Sequence, residues 1–333
     1  MSTPTQDDHS LRGLVLAAFA TVYLVWGSTY LGIRLAVETL PPFFMGGGRF
    51  LVAGLLLYGW LRLKGVPNPA PRHWRNAVIV GALLLGIGNG GVNWAEQSIP
   101  SSIAALLIAM TPLWFALLEW LRPGGTQPRI QTVAGIIVGF AGIVMLVGSR
   151  ESLRQQSINP AGIGALFAAS IAWASGSLYA RYTPKPDSPL MGVALQMIAG
   201  GVILFLIGLV SGEAAAFSWT KISTRSAVAF VYLTLIGSLV AFTAYSWLLK
   251  HSTPARISTY AYVNPVIAVL LGRAVAGERL TPRMAWAAAV IVLGVVIITT
   301  RRTPVFPQAG KANKSAMGGD APVREGRCRH LLD

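Results

Sequence analysis

Two ionisable side chains interrupt apolar stretches of this sequence and could take part in chemistry there. Arg49 lies about two helical turns into one apolar run, and Glu96 ends another. A buried cation could bind a substrate carboxylate, whereas a partly desolvated carboxyl has a raised pKa and could carry a proton. Arg49 and Glu96 are therefore candidates for charge recognition and proton coupling.

Both residues also have a structural interpretation. Arg49 could reach the polar interface or pair with Glu38 or Glu96, and the run Gly46-Gly47-Gly48 before it permits the close approach of another helix. Glu96 could instead be a capping or loop carboxylate just before Pro100. The sequence leaves these alternatives open.

Two amides precede Glu96 at helical spacing. Asn93 lies three residues before it and Asn89 lies seven, so all three side chains share one face of a helix. A carboxylate and two amides on one face could line a polar passage. We therefore predict that Asn89 and Asn93 lie in a cavity.

Aromatic and hydroxyl side chains recur at spacings that share a helix face. Such side chains suit a cavity that binds an amphipathic solute weakly and releases it, although packing between helices is an alternative. Three pairs are four residues apart: Trp26 with Tyr30, Trp173 with Ser177, and Tyr260 with Asn264. The predicted cavity residues are Trp26, Ser28, Tyr30, Asn89, Asn93, Trp173, Ser177, Tyr245, Tyr260, Tyr262 and Asn264.

Two prolines fall within apolar runs at corresponding places in the two halves of the chain. Pro112 and Pro265 each remove a backbone hydrogen bond and free a carbonyl group. Paired breaks of this kind indicate hinges beside a binding site at the membrane midplane. Kinks without a gating role are the alternative.

Enzymatic motifs do not accompany these residues. The sequence has no His-Glu-x-x-His, no Walker lysine loop and no Gly-x-Ser-x-Gly. Its four histidines lie in tails or connectors, and the single cysteine, Cys328, excludes a disulfide framework. We therefore predict no enzyme activity, no cofactor and no metal. An intramembrane enzyme or lipid-handling protein is the alternative, but it would need acids or histidines clustered at one depth.

The composition explains why so few polar groups stand out. The 333 residues are 53% apolar and 12% charged, whereas a soluble chain carries about 25% charged residues. The mean hydropathy of +0.58 agrees with this shortage of charge. These values exclude an ordinary soluble globular protein, a disordered chain and a collagen-like fibre.

The excess of basic residues indicates membrane topology. The net charge is +15, but lysine and arginine cluster in connectors and in the C-terminal tail, which argues against nucleic-acid binding. The segments on the same side of the membrane as the N-terminus contain more lysine and arginine than the segments on the opposite side. Both termini are therefore predicted to be cytoplasmic. The first apolar run is too long for a cleavable signal peptide. We therefore predict a multi-pass protein of the inner (plasma) membrane.

Apolar runs of about 20 residues are long enough to cross a bilayer as helices, and ten such runs are predicted. The fold class is therefore all-α integral membrane. Seven runs contain no charged residue. The run at 42–61 contains Arg49, and the runs at 257–272 and 284–300 are shorter. The predicted spans are 13–33, 42–61, 76–95, 97–118, 130–149, 155–180, 188–212, 226–249, 257–272 and 284–300.

The two halves of the chain resemble each other weakly. Trp26-Gly27-Ser28 matches Trp173-Ala174-Ser175, and Pro112 has its counterpart in Pro265, about 150 residues later. Five helices in each half would make the second copy enter the membrane from the opposite side. An inverted repeat of this kind indicates a secondary transporter that works by alternating access. The predicted segments are 1–12 (cytoplasmic), 13–149 and 155–300 (the two repeats), and 301–333 (a disordered basic tail).

On these residues the chain resembles the EamA-type transporters of the drug/metabolite transporter superfamily, and within it the YedA-like branch. The resemblance implies ten transmembrane helices in two inverted-topology five-helix repeats, an inner-membrane location and export of small metabolites. Amino acids or related compounds are the first substrates to consider on family grounds. The motifs that carry the resemblance are Trp26-Gly27-Ser28-Thr29-Tyr30, Pro41-Pro42 with Arg49-Phe50, Gly88-Asn89-Gly90, Ala95-Glu96, Pro100-Ser101-Ser102-Ile103-Ala104-Ala105, Thr259-Tyr260-Ala261-Tyr262-Val263-Asn264-Pro265 and Gly277-Glu278-Arg279-Leu280.

One departure from the family pattern is visible. The Gly-Glu pair that follows the second proline-containing helix stands as Gly277-Glu278, but the first half has Gly124-Gly125 in that region. Whatever this glutamate does is therefore present once. The expected partners are a small-molecule substrate and the lipid bilayer, with protons as a candidate coupling ion. The sequence leaves the oligomeric state open.

Overall fold

The computed structural model describes residues 6–124, 127, 130–147, 159–252, 260–278 and 280–299. Within these ranges all regular secondary structure is helical, and no strand is present. Seven helices are long and apolar enough to cross a membrane, and three others contain shorter apolar segments. This agrees with the prediction of an all-helical membrane protein.

The helices follow one another with short connectors. Short helical turns at Glu213–Ala216 and Trp219–Lys221 lie between the seventh and eighth helices. The first five are α1 (Gln6–Ala36), α2 (Pro42–Leu63), α3 (Pro71–Ala95), α4 (Ser101–Leu121) and α5 (Ile130–Val147). The next are α6 (Pro160–Tyr182), α7 (Pro189–Val210), α8 (Thr224–Tyr232, Leu233–Val240 and Ala241–His251), α9 (Tyr260–Val275) and α10 (Pro282–Thr299).

Proline and glycine mark many of the helix ends. Proline stands in the first turn of α2, α3, α6 and α7, where its missing N–H costs no helical hydrogen bond. Glycines in the left-handed conformation end α2, α4, α7 and α9, because this conformation is strained for residues with a Cβ. They are Gly65, Gly124, Gly212 and Gly277, with φ angles of 78°, 74°, 77° and 66°.

Two helices contain π-helical segments that hydropathy does not indicate. Ala82–Asn89 interrupts α3, and Leu233–Val240 interrupts α8. Both segments are eight residues long and occupy the middle of their helices. Such segments weaken the regular backbone ladder and frequently occur at functional sites.

Pro112 lies near the middle of α4, but the expectation that it interrupts a continuous helix is wrong, because α4 is already divided before it. The first segment of α4 ends at Ile108, and a second segment, Thr111–Leu121, begins after a turn. Pro112 stands in the first turn of that second segment, where its missing N–H costs no helical hydrogen bond. Pro265 does lie inside α9, as expected.

The helices pack in pairs that correspond between the two halves. α1 packs on α8 and α9, and α6 packs in the same way on α3 and α4. α2 runs along α7, and α5 runs along α10. Exchanging the first five helices with the last five therefore reproduces these pairings. α1 also packs on the first segment of α4, whereas no comparable packing joins α6 and α9 within the described residues.

Candidate functional site

Arg49 is buried between α2 and the π-helical segment of α8. Only 3% of the residue is exposed, and its Nε donates a hydrogen bond of 2.8 Å to Ser238 Oγ. Ser238 Oγ in turn donates to the carbonyl oxygen of Leu233 at 3.1 Å, five residues earlier. Within the described part of the chain, Arg49 Nη1 has no hydrogen-bond partner.

The structure excludes the alternative in which Arg49 pairs with Glu38 or Glu96. Glu38 lies 3.6 Å from the guanidinium of Arg225 at the surface. Glu96 interacts with Arg34 instead. Among the residues that the structure describes, no carboxylate forms an ion pair with Arg49. The sequence could not reveal this, because the choice of partner depends on how the helices pack.

Side chains of α1 and α8 lie beside the Arg49 side chain. A Cβ placed on Gly237 would stand 3.5 Å from Arg49 Nη2 and 3.3 Å from Thr29 Cγ2, so these two side chains approach the same point. Ser28 Oγ and the Tyr232 hydroxyl are 2.5 Å apart. We refer to Ser28, Thr29, Arg49, Tyr232 and Ser238 as the Arg49 cluster.

An aromatic cluster lies about one helical turn from Thr29 along α1. The ring centroid of Trp26 is 5.2 Å from that of Phe242, 5.1 Å from Tyr245 and 5.2 Å from Tyr260. All four side chains are partly exposed. The structure thus brings together three predicted cavity residues and adds Phe242, which sequence reasoning missed. We refer to Trp26, Phe242, Tyr245 and Tyr260 as the Trp26 cluster.

Asn264 ties α9 to α1 beside the Trp26 cluster. With its amide oriented to satisfy its neighbours, its side-chain nitrogen donates to the carbonyls of Tyr23 at 3.3 Å and Tyr260 at 3.2 Å. The side chain of Tyr262 lies outside the described residues. Tyr30 is partly buried and packs against the main hydrophobic core.

The two predicted amides of α3 differ in their surroundings. Asn93 is fully buried, and its Nδ2 donates to the carbonyl of Pro42 at 3.3 Å, which fastens α3 to α2. Asn89 ends the π-helical segment, is partly exposed, and donates to the carbonyl of Leu84 at 3.4 Å. Asn89 is therefore the more accessible of the two.

The second-half residues Trp173 and Ser177 lie away from the Trp26 cluster. Trp173 packs against the π-helical segment of α3, where a Cβ on Gly88 would stand 3.2 Å from its ring. Ser177 is partly exposed on the same helix. Trp173 thus meets α3 as Trp26 meets α8. The two predicted groups occupy corresponding positions in the two halves.

Glu96 is fully buried at the connector between α3 and α4. Neither carboxylate oxygen has a hydrogen-bond partner within the described residues. The guanidinium of Arg34 donates to the backbone carbonyls of Glu96 and Gln97, and not to the carboxylate. Burial raises the pKa of Glu96 well above its usual range, and the nearby Glu278 carboxylate raises it further, against the opposing effect of Arg34. Burial without a hydrogen-bond donor disfavours the charged form of this carboxyl group.

Glu278 caps the N-terminus of α4. Its Oε1 accepts hydrogen bonds from Ser101 N and Ser101 Oγ, both at 2.7 Å, and its Oε2 accepts from Ser102 N at 3.1 Å and Ser102 Oγ at 2.5 Å. The left-handed turn at Gly277 directs the chain back over α4. A carboxylate is favourable here because the helix N-terminus carries exposed N–H groups and a positive partial charge. The Gly-Glu pair of the sequence is thus a bridge between the two halves.

Glu213 forms a second bridge of this kind, which sequence reasoning missed. After the left-handed Gly212, its carboxylate accepts hydrogen bonds from Phe43 N at 3.0 Å and Phe44 N at 2.8 Å, at the start of α2. The sequence contains a signal for it, because the pair Gly212-Glu213 repeats the pair Gly277-Glu278 within the second half. The matching turn at Gly65 is followed by Val66, so it carries no carboxylate.

Comparison with known proteins shows the family of this chain. The EamA-like transporter family matches the chain twice, over residues 11–148 and 160–300. The chain belongs to this family. The EamA family is a family of membrane transporters, and the several apolar helices fit a multi-pass membrane protein.

Relatives within the EamA family cover nearly the whole chain. The inner membrane transporter YedA of Escherichia coli (strain K12) is 40% identical over 295 residues, which are 88% of this chain and 92% of YedA. The transporter YvbV of Bacillus subtilis (strain 168) is 25% identical over 92% of this chain and 95% of its own length. The protein PecM of Dickeya dadantii (strain 3937) is 26% identical over 85% of this chain and 93% of its own.

A crystal structure of a further protein supports the fold. It superposes with a TM-score of 0.59 at 22% identity, and covers 86% of this chain and 96% of that protein. At this level of identity the similarity concerns the fold alone.

Proposed function

We propose that this EamA family member is a secondary transporter that exports small amphipathic metabolites by alternating access. In this proposal ten helices cross the inner membrane as two inverted five-helix repeats, with both termini in the cytoplasm. The observation that carries the proposal is that the helix pairings correspond between the halves. α1 packs on α8 and α9, and its counterpart α6 packs on the counterparts of those helices, α3 and α4. Two halves related in this way can exchange conformations, and the exchange moves access from one side to the other.

The substrate cavity in this proposal lies between the halves and is lined by α1, α3, α6, α8 and α9. The π-helical segments of α3 and α8 face it from corresponding positions. Irregular backbone at membrane depth is tolerated where it lines a cavity or is buried in protein, which agrees with this placement. Pro265 inside α9 and the break before Pro112 in α4 are the proposed hinges.

A flux assay with the purified full-length protein in proteoliposomes tests the proposal. We expect saturable, protein-dependent flux of at least one solute from a panel of amino acids, amphipathic carboxylates, amides and amines. Empty liposomes and liposomes with heat-inactivated protein are the controls. No saturable flux for any solute, together with turnover of a lipid substrate, would favour the intramembrane enzyme or lipid-handling protein instead.

We propose further that Glu96 carries the coupling proton. In the present conformation Glu278 occupies the α4 N-terminus as a carboxylate, and Glu96 is buried nearby without hydrogen-bond donors. Placing a second negative charge there is unfavourable, so closure of this end requires Glu96 to hold a proton. When this end opens, water reaches Glu96 and the proton can exchange. The titratable and charged groups that act on Glu96 are Glu278, Arg34 and Tyr30.

Glu96→Gln is expected to remove the pH dependence of transport, because the amide resembles the protonated acid at every pH. Flux should vary less than about twofold between pH 6 and 8 in the variant. Glu38→Gln, which alters an exposed ion pair, is the control and should keep the wild-type profile. An unchanged pH profile in Glu96→Gln would contradict the coupling role.

The same variant also has a stability readout that does not need a substrate. A raised pKa in the folded state means that the folded protein binds more protons than the unfolded chain, so stability falls as pH rises above the usual glutamate range. The melting temperature of the wild type should therefore decline as the pH rises above the usual glutamate pKa of about 4.3. The decline should be smaller in Glu96→Gln.

A further inference from the structure

The Arg49 cluster contains one buried cation and, within the described residues, no anion. The guanidinium stays protonated at all physiological pH values. Only 3% of the residue is exposed, and within the described residues its Nη1 has no hydrogen-bond partner. Removing one partner from a buried ion pair leaves an unfavourable uncompensated charge. Within the described residues the protein supplies no carboxylate to compensate this one.

The groups next to Arg49 could complete an anion site. The hydroxyl groups of Ser238 and Tyr232 lie next to this guanidinium. The hydroxyls of Ser28 and Thr29 already donate to the carbonyls of Val25 and Trp26, so in this conformation Arg49 is the main donor. Ser238 already anchors Nε, which leaves the outer guanidinium nitrogens for a ligand. A guanidinium fork binds a carboxylate through two parallel, charge-assisted hydrogen bonds.

The Trp26 cluster supplies an apolar surface beside this site. Its rings lie about one helical turn from the hydroxyl of Thr29 along α1, a distance that a small amphipathic molecule can span. We propose that the substrate is an amphipathic monocarboxylate, with its carboxylate on Arg49 and its apolar body on the Trp26 cluster. This inference rests on the proposed transport function and names the substrate class of that site.

The same geometry selects against amino acids. The ammonium group of an α-amino acid is one carbon away from its carboxylate, so it would lie close to the guanidinium of Arg49 without a counter-ion. The buried acid Glu96 interacts with Glu278, Arg34 and Tyr30, whereas the ionisable group that interacts with Arg49 is Tyr232. The site therefore favours an acid without an α-amino group.

Two triplets of matched probes test this selectivity in the full-length wild-type protein. The first is 3-phenylpropionate, phenylalanine and 3-phenylpropionamide, and the second is 4-methylvalerate, leucine and 4-methylvaleramide. Binding is measured by thermal stabilisation in detergent and by competition in proteoliposome counterflow. We expect each acid to bind at least about tenfold more tightly than its amide and its amino acid, as the loss of a charge-assisted pair predicts.

Variants assign the selectivity to Arg49. Arg49→Gln should bring the acid-to-amide ratio to within about twofold, and Arg49→Lys should keep part of the preference because it keeps the charge. Ser238→Ala frees Nε but retains the guanidinium, so it should weaken binding of the acid and preserve the preference. The wild-type triplets remain informative even if Arg49→Gln does not fold.

The outcomes separate this inference from the proposed function. Equal binding of acid and amide, a preference for the amino acid, or a preserved preference in Arg49→Gln would each overturn the carboxylate site. Flux of solutes that lack a carboxylate, with no binding of either acid, would also overturn it and leave the transport function intact. Absence of flux for every solute would overturn the transport function itself.

Discussion

Replacing Glu278 with alanine should strongly destabilise the protein. The carboxylate accepts four hydrogen bonds from Ser101 and Ser102, and its loss leaves the N-terminus of α4 uncapped in a buried setting. Hydrogen bonds to charged groups contribute about 1.5–3 kcal/mol each, so a loss of about 3 kcal/mol or more in the free energy of unfolding is expected. The measurement is the melting temperature in detergent, supported by the yield of monodisperse protein.

A matched glutamate provides the control for Glu278→Ala. Glu38 forms a surface ion pair with Arg225 at 3.6 Å, and such pairs are worth about 1 kcal/mol or less. Glu38→Ala should therefore leave the melting temperature nearly unchanged. Glu278→Gln should be intermediate, because its amide keeps one acceptor oxygen but turns an NH₂ group toward backbone N–H donors. Equal effects of the two alanine variants would refute the capping role.

A valine in place of Gly294 should separate α10 from α5. A Cβ at this position would lie 2.6 Å from Gly139 N and 2.8 Å from Gly135 O, both of them backbone atoms that cannot rotate away. Close backbone approach is what small residues provide in membrane helix pairs, where packing drives association. Because the two helices would have to move apart, we expect a larger cost than the about 1–3 kcal/mol of ordinary overpacking. Loss of monodisperse folded protein on extraction is the expected result.

Gly164 offers the matched control on α6. A Cβ there meets no atom within 4 Å, and the residue is exposed. Gly164→Val changes the same residue type in the same way without a steric clash, so folded yield and melting temperature should stay close to the wild type. If Gly294→Val is as stable as Gly164→Val, the close packing of α5 and α10 is not required for folding.

The two ends of the molecule differ in how the halves are joined. Glu213 and Glu278 of the second half cap α2 and α4 of the first half, while the corresponding turns at Gly65 and Gly124 are not followed by glutamate. Both capped helices begin at the end where α1 and α3 finish, which is the outer end in the proposed orientation. An inverted repeat with identical halves would place such bridges at both ends. In that orientation, the two carboxylate caps lie at the outer end, and among the described residues the halves meet at the inner end through contacts that include an exposed one, in which the Tyr182 hydroxyl donates to the Glu119 carboxylate.

The sequence by itself determined the membrane class and the helical fold of this protein. An apolar composition with few charges and runs long enough to cross a bilayer permits few other structures, because backbone groups in lipid must be hydrogen-bonded within the segment. Most observed helices overlap the predicted runs closely, because charged residues interrupt the apolar sequence near the helix ends, although α1 begins at Gln6 and α3 at Pro71, before the predicted starts. Family membership followed from motifs such as Trp26-Gly27-Ser28 and Gly277-Glu278, and comparison confirmed it.

The tertiary structure alone decided which residues meet. Helical spacing correctly placed Arg49 within an apolar helix, but its partner Ser238 is 189 residues away on a π-helical segment that hydropathy does not mark. The same holds for Glu278, whose role emerges only where the turn after α9 passes over α4. Periodicity reports which face of a helix is apolar, whereas partners across helices depend on how the two halves pack. For this reason the candidate residues came from the sequence, but their assembly into an anion site and a carboxylate cap came from the fold.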